Sequence, residues 1–358
     1  MTNQRVDLLR FEEAYFERIW GGGKLRALYG KPAPEDAPIG EAWLVADHRQ
    51  CESRVAEGPC AGQTLRQLLE SGAAGVLGTR GKLTVHGRFP LLLKLLDARD
   101  VLSVQVHPDD ACAQRLGEPD VGKTEMWRVL HAEPDSELIC GLDPAVRPDD
   151  IGALATDGRA LEEKMHRFPV EPGDSVFVPA GTVHAIGAGI VLAEIQQNSD
   201  LTYRLYDWGR VQSDGTPREL HLDKAREAIH FGSEHKGKTT PLPLDDGGVR
   251  TLLAACPYFA AESVQVEGTW TRTTRGESFH ILLAQEGAFR VASETGEANI
   301  IAGECVLAPG RLMQFSVEGQ GVLLDYYVPD LQRDIVDPVR KQGHSEASLQ
   351  GVNPALTF

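Results

Sequence analysis

The chain has 358 residues, 42% hydrophobic and 25% charged, with a formal net charge of −16, which is long enough for two buried cores and ordinary in composition for a soluble globular protein. So acidic a chain lacks the basic footprint needed to neutralise phosphodiesters, which argues against a nucleic-acid partner. Its six cysteines form neither a Cys-x-x-Cys pair nor a dense framework, which favours reduced thiols in a cytoplasmic protein.

Met1 to Arg18 carries acidic residues and no apolar h-region, so a secretory signal is not expected. Trp20-Gly21-Gly22-Gly23-Lys24 has glycines and a lysine at the wrong spacing for a phosphate-cradling loop. Short β-like runs broken by Gly, Pro and Asp dominate Ile39 to Val55, Leu83 to Val106 and Met126 to Leu142. The longest apolar stretch, Leu91 to Leu96, is interrupted by Lys94 and too short to span a bilayer, so no membrane partner is expected. Helices are predicted over Thr64 to Leu77 and Asp109 to Leu116, with one or two more over Asp149 to His166, as insertions on a β scaffold, and a further helix near Asp223 to His230.

Residues 232–248, rich in Gly, Lys, Thr, Pro and Asp, read as a linker between a domain at 1–231 and a second at 249–358. The second repeats the first in degenerate form. Gly173-Asp174-Ser175-Val176-Phe177-Val178-Pro179 matches Gly303-Glu304-Cys305-Val306-Leu307-Ala308-Pro309, and Glu125-Met126-Trp127-Arg128 aligns with Glu277-Ser278-Phe279-His280. The expected fold is mainly β, a tandem of cupin-type jelly-roll barrels with α-helical insertions, a double-sheet solution to exposed edge strands.

Strand alternation puts Gln105 and His107 on one face and Val104 and Val106 on the other, and puts Lys123 beside Glu125. With His184, which follows the turn Pro179-Ala180-Gly181-Thr182-Val183, these offer a divalent ion two imidazoles, a carboxylate and a carboxamide oxygen, although a carboxamide is an unusual zinc ligand and Gln105 reads equally as a hydrogen-bonding neighbour. That set suits zinc or a similar first-row ion with a position left for water or a substrate oxygen. In the second repeat the corresponding count reaches Phe259 and Gln314, so no second metal site is expected. The remaining histidines, His48, His86, His131, His166, His221, His230, His235, His280 and His344, are not grouped and read as ordinary polar residues. Glu277 alone reads as a strand-edge carboxylate, since a lone carboxylate holds a transition metal poorly. Lys94 either snorkels from a strand end or faces a polar cavity, because burying an ammonium without a partner costs several kcal/mol, roughly.

Several segments together resemble the class I mannose-6-phosphate isomerases, particularly their shorter bacterial form. They are Trp20-Gly21-Gly22, Gly40-Glu41-Ala42-Trp43, Pro90 to Lys94, the Gln105/His107 segment, Lys123-Thr124-Glu125-Met126-Trp127, Pro179 to Gly187 and Glu194 to Arg210. The string from Glu194 to Trp208 is the most specific, because a generic metal-binding barrel has no reason to carry it. The resemblance implies one Zn2+ per chain on Gln105, His107, Glu125 and His184, and a pocket lined by Lys94, Lys123, Asp200 and Arg204. It leaves open which cation binds phosphate and which group transfers a proton; elementary chemistry favours Arg204 for charge and a lysine for acid–base work. Ser103 and Glu194 are candidate substrate contacts, whereas Glu41, Trp20 and Trp43 are equally explained by packing. The implied function is zinc-dependent interconversion of mannose 6-phosphate and fructose 6-phosphate through an enediolate, with a small phosphorylated sugar as the partner. Two rivals stand beside it: a cupin oxygenase using iron on two histidines and a carboxylate, and a non-catalytic sugar-binding regulator.

Overall fold

A computed structural model describes residues 7–32, 34, 37–212, 214–233, 237–245 and 249–357. His235, part of the expected linker and the first residues of the expected N-terminal domain lie outside the described residues. The chain divides into two compact units, one formed by Tyr15–Ala42 and Lys94–Lys238, the other by Met1–Ala14, Trp43–Leu93 and Thr239–Phe358. The expected boundaries, 1–231 and 249–358, followed chain order; by compactness, two early segments group with the C-terminal half.

In the first unit, strands β1 (Ala14–Gly22), β2 (Ile39–Val45), β3 (Leu91–Ala98), β5 (Glu125–Ala132), β8 (Ser175–Val178) and β10 (Ile190–Gln197) form a sheet of order β1-β2-β3-β10-β5-β8. The division between units falls inside β2 and β3. Strands β4 (Val104–Val106), β6 (Glu137–Leu142), β7 (Met165–Pro169), β9 (His184–Ile186) and β11 (Tyr203–Tyr206) form a second sheet, β11-β4-β9-β6-β7. Pairing is antiparallel wherever registers are resolved, as in β10 with β5 and β4 with β9.

Alternation decides what lies between these sheets. Leu96, Ala98, Trp127, Val129, Val176, Val178, Ile186, Ile190 and Leu192 build one apolar cluster. Residues of the same parity further along β3, β5, β9 and β10 are Lys94, Glu125, His184, Glu194 and Gln196, so one end of the interior is apolar and the other polar. Val104, Val106, Ile139, Ala185, Tyr203 and Leu205, of the opposite parity, join a separate cluster with helical residues such as Cys112, Ile151, Leu161 and Ala225. The helices therefore cover the outer face of the five-stranded sheet.

The predicted helices form with small shifts. Helix α1 (Lys24–Tyr29) was not foreseen; α2 (Leu65–Leu77) starts on Thr64, whose side chain and that of Gln67 form a capping box. In α3 (Asp110–Arg115), Asp109 caps by accepting the Cys112 amide at 2.7 Å. The run predicted over Asp149 to His166 becomes α4 (Ile151–Thr156) and α5 (Gly158–Glu162), and its last residue already belongs to β7. Helix α6 (Leu222–Ala228) matches the fourth. Helix α2, read as an insertion on the first scaffold, is part of the second unit: Gly310 donates to the Val76 carbonyl at 2.7 Å and Arg311 to that of Gly75 at 3.2 Å.

With β12 (Leu242–Pro243), β13 (Arg250–Ala255), β14 (Ala260–Thr273), β15 (His280–Ala292), β16 (Glu297–Ile301) and β18 (Gln314–Tyr327), the second unit carries a seven-stranded sheet of order β12-β13-β14-β18-β15-β16, in which β17 (Cys305–Ala308) pairs with β15. Long strands β14 (Ala260–Thr273), β15 and β18 (Gln314–Tyr327) enclose a core including Leu282, Phe289, Val306, Phe315 and Leu323. The architecture is thus mainly β, a cupin-type tandem.

Strand register corrects one part of the repeat. Glu125 faces Val178 across β5 and β8, whereas His280 faces Ala308 across β15 and β17. Since Val178 and Ala308 hold equivalent places in the two matched segments, His280, not Glu277, is the counterpart of Glu125. Likewise Glu194 faces Trp127, and Asp325 faces Leu282, making Asp325 the counterpart of Glu194. The interval from His107 to Glu125, counted back from His280, ends on Glu262 instead of Phe259. Simple alignment of Glu with Glu hid this, because an identical residue type outweighed the pairing that fixes register.

Candidate metal centre

His107 follows the last residue of β4, just before Pro108, which brings no backbone N–H to continue the ladder. Its carbonyl accepts the Gly181 amide at 2.8 Å, and Gly181 has φ of 85°, a left-handed conformation that suits glycine. A Cβ there would lie 2.4 Å from the His230 ring. This turn leads directly into His184, the first residue of β9.

Glu125 Oε2 lies 3.5 Å from His107 Nε2, and Glu125 Oε1 lies 3.4 Å from His184 Nε2. All three side chains are buried, and one ligand atom from each lies within 4.8 Å of the others. His107 Nδ1 is 2.6 Å from the Leu201 carbonyl and His184 Nδ1 is 2.8 Å from that of Thr182. A carbonyl only accepts, so each Nδ1 carries the proton and each Nε2 turns its lone pair toward the centre.

Both Glu125 oxygens are buried and meet no donor in hydrogen-bond geometry. Lys123 Nζ is 2.9 Å from Oε2 as an ion pair, and 3.2 Å from His107 Nε2. Two inward lone pairs beside an undersatisfied buried carboxylate fit a divalent cation, since such groups otherwise retain a desolvation cost. Gln105 Nε2 lies 3.3 Å from His184 Nε2, while its Oε1 is 3.5 Å from Ser103 Oγ. A half-turn of the carboxamide would present the oxygen to the same centre.

Around it, Lys94 Nζ lies 3.8 Å from Glu41, 3.8 Å from Glu194 and 3.7 Å from Asp200. Glu194 Oε1 accepts the Trp127 indole N–H at 3.1 Å. Burial and the neighbouring Glu125 and Glu41 carboxylates raise the Glu194 proton affinity, against the pull of Lys123 and Lys94. Burial opposes charge on Lys123, but Glu125, Glu194 and Asp200 overcome it and hold the ammonium protonated. Burial pushes His107 well below its ordinary value, aided by Lys123 and His184, and brings His184 down to about 4. Neutral imidazoles are the form that ligates metal.

Arg204 lies directly opposite Gln105 across β11 and β4, on the same face. Its amide meets His221 Nδ1 at 3.1 Å and its Nη1 donates to the Glu219 carbonyl at 2.8 Å. Alternation was the wrong reason for placing Lys123 with Glu125: β5 begins at Glu125, so Lys123 precedes it, just as Asp200 precedes β11, which begins at Tyr203. Their ion pairs with Lys94 and Glu125 nevertheless bring them to the centre.

Three further groups went unforeseen. The Leu201 and Thr182 carbonyls orient the histidines, and backbone groups carry no residue-type signal. Trp127, named only as part of the motif Lys123-Thr124-Glu125-Met126-Trp127, secures Glu194. Of the histidines set aside, His280 is buried and pairs through Nδ1 with Asp325 at 2.8 Å. Tyr327, opposite His280, donates to Glu262 at 2.5 Å, and Arg250 and Arg272 pair with the same carboxylate. The polar end of the second barrel is therefore filled by its own ion pairs. Glu277 is held by Arg80 at 2.7 Å and by Arg333 at 2.5 Å. Trp20 belongs to the core between the first unit's sheets, and Trp43 is fully buried. Among the described residues no helix is long and apolar enough to cross a membrane.

Residues 8–138 match the family model for the phosphomannose isomerase type I catalytic domain. Mannose-6-phosphate isomerase ManA of Bacillus subtilis (strain 168) is 37% identical over 311 residues, covering 87% of this chain and 96% of the relative. Mannose-6-phosphate isomerase of Streptococcus mutans is 32% identical over 304 residues, covering 85% and 92%. The crystal structure of the mannose 6-phosphate isomerase from Bacillus subtilis superposes with a TM-score of 0.80 at 32% identity, covering 90% of this chain and 99% of the other.

Proposed function

The chain belongs to the type I phosphomannose isomerases, and from that membership we propose that it interconverts mannose 6-phosphate and fructose 6-phosphate using one bound zinc ion. The observation that carries the reading is the buried His107–Glu125–His184 cluster, whose Nε2 atoms and carboxylate oxygens converge beside Lys94, Lys123 and Glu194. Gln105 is assigned as the fourth ligand after its carboxamide turns. Bound there, the ion would supply Lewis-acid polarisation of the sugar oxygens at C1 and C2.

The rest falls to the chain's own side chains. Isomerisation moves a proton from C2 of the aldose to C1, while the hydroxyl proton passes from O2 to O1, by way of an enediolate. Lys123, held charged by its carboxylate neighbours, stabilises the negative charge that develops on the sugar oxygens. Lys94 and Asp200, 3.7 Å apart, form a pair beside the reacting carbons able to hold or pass a proton. Arg204, permanently charged and facing the Gln105 side of its sheet, is assigned to the phosphate. Ser103 and Glu194 are assigned to sugar hydroxyls. Binding of the remote phosphate helps position the carbons, so free mannose is expected to turn over poorly. The second barrel is assigned a structural role without a metal.

The test is elemental analysis of protein purified without added metal, coupled to an isomerisation assay. About one zinc per chain with turnover that a chelator abolishes and zinc restores supports the reading. Stoichiometric iron with oxygen consumption and no isomerisation overturns it.

A further inference from the structure

Strand β10 ends at Gln197, and the chain bends through residues 198–202 before entering β11 in the other sheet of the first unit. That bend carries the Leu201 carbonyl, which stands 2.6 Å from His107 Nδ1. The contact fixes how the imidazole is rotated and therefore where its Nε2 points. Since the orienting group belongs to the backbone, its position is set by whatever holds the bend.

Gln196 holds it. Fully buried, this residue faces Glu125 across β10 and β5. Its Nε2 donates to the Gln197 carbonyl at 2.9 Å and to the Ser199 carbonyl at 2.5 Å. Carbonyls only accept, so the carboxamide nitrogen, and not its oxygen, must lie toward them. The Ser199 amide also donates to the Gln197 carbonyl at 2.8 Å, and the Ser199 hydroxyl accepts the Leu201 amide at 3.4 Å. Residues 197, 199 and 201 are thus tied in series, and the side chain of Gln196 joins the series to the buried end of β10. A neutral carboxamide nitrogen offers two donors at once; methionine, of similar length, and ionised glutamate, of the same shape, offer none.

We propose that Gln196 is a positioning residue for the metal centre: its two bonds set the bend so that the Leu201 carbonyl aims the His107 ring at the ion. This rests on the assignment of His107 as a metal ligand. Gln196 is not itself placed among the ligands; it acts on the ion through the backbone of residues 197–201 and the imidazole.

The test uses the full-length protein and the variants Gln196→Met, Gln196→Glu, Gln196→Asn and His107→Ala. Zinc affinity is read by competition with a chelator, and ligand geometry by the visible absorption of protein loaded with Co2+ in place of zinc, both well below each variant's melting temperature. Gln196→Met and Gln196→Glu are expected to weaken zinc binding about tenfold or more, as loss of a ligand's orienting partner does, and to alter the Co2+ spectrum. Gln196→Asn, which keeps both donors on a shorter stem, should fall between these and wild type. A folded Gln196→Met with zinc affinity within about twofold of wild type, or with an unaltered Co2+ spectrum, would overturn the proposal even if its melting temperature falls, because the two bonds would then support the fold alone. Should Gln196→Met not fold, Gln196→Asn against wild type carries the same comparison. Wild-type affinity in His107→Ala sinks the ligand assignment as well; metal loss from His107→Ala beside wild-type affinity in Gln196→Met sinks only the role of Gln196.

Discussion

Gln105 lies directly opposite His184 across β4 and β9, although 79 positions separate them. On its other side Gln105 faces Arg204 across β11. One short strand thus stands between a candidate metal ligand and the cation assigned to phosphate, and the two neighbours can be separated by substitution.

His107→Ala or His184→Ala should release the metal and abolish turnover. Arg204→Ala should keep about one zinc per chain and lose roughly a hundredfold or more in kcat/KM, equivalent to about 2.7 kcal/mol of transition-state binding. Metal analysis alongside steady-state kinetics separates the classes. Zinc loss from Arg204→Ala as complete as from His184→Ala would show that Arg204 supports the site instead of the substrate.

Gly181→Ala should weaken metal binding while leaving the fold intact. The substitution puts a Cβ at φ of 85° and 2.4 Å from the His230 ring, a strain of about 1–3 kcal/mol at the turn leading into His184. A competition titration with a zinc chelator reads the affinity. An affinity equal to wild type would mean that the turn relaxes without moving the ligand.

Acid should destabilise the second unit through Glu262. Burial alone would raise its proton affinity, but Arg272 and Arg250 hold it well below the ordinary value of 4.5. A depressed folded value means that the unfolded chain binds the proton more tightly, so the stabilisation is complete above about pH 4.5 and is lost as pH falls further. Glu262→Gln should therefore cost about 3–5 kcal/mol at neutral pH, leaving two arginines without their shared carboxylate, and flatten the acid limb. Melting temperatures from pH 3 to 7 check this; parallel wild-type and variant curves would contradict it.

Fructose 6-phosphate turned over in deuterated water should give mannose 6-phosphate with some deuterium at C2. A proton carried by a protein group through an enediolate can exchange with solvent, whereas a hydride moving directly between C1 and C2 brings in none. Mass spectrometry of the product distinguishes the two routes. Rapid turnover with no label would count against the enediolate.

The sequence by itself determined the class of fold and the family and pointed to four candidate ligands, because those depend on local information. Alternation aims Gln105 and His107 together, and the run from Glu194 to Trp208 is too specific to arise from barrel packing. The helices predicted to start at Thr64 and Asp109 do begin there, each with that residue as its cap.

Only the tertiary structure decided what depends on pairing between distant strands. Register shows that His280 and Asp325 replace Glu125 and Glu194 in the second barrel, a correspondence hidden by the coincidence of a glutamate three positions away. Backbone carbonyls at Leu201 and Thr182 orient the ligating rings, yet every residue has a carbonyl and none advertises its use. The two bonds from Gln196 into the bend after β10 end on carbonyls as well. A sequence records which groups are available; which of them meet is fixed by how the sheets align and pack.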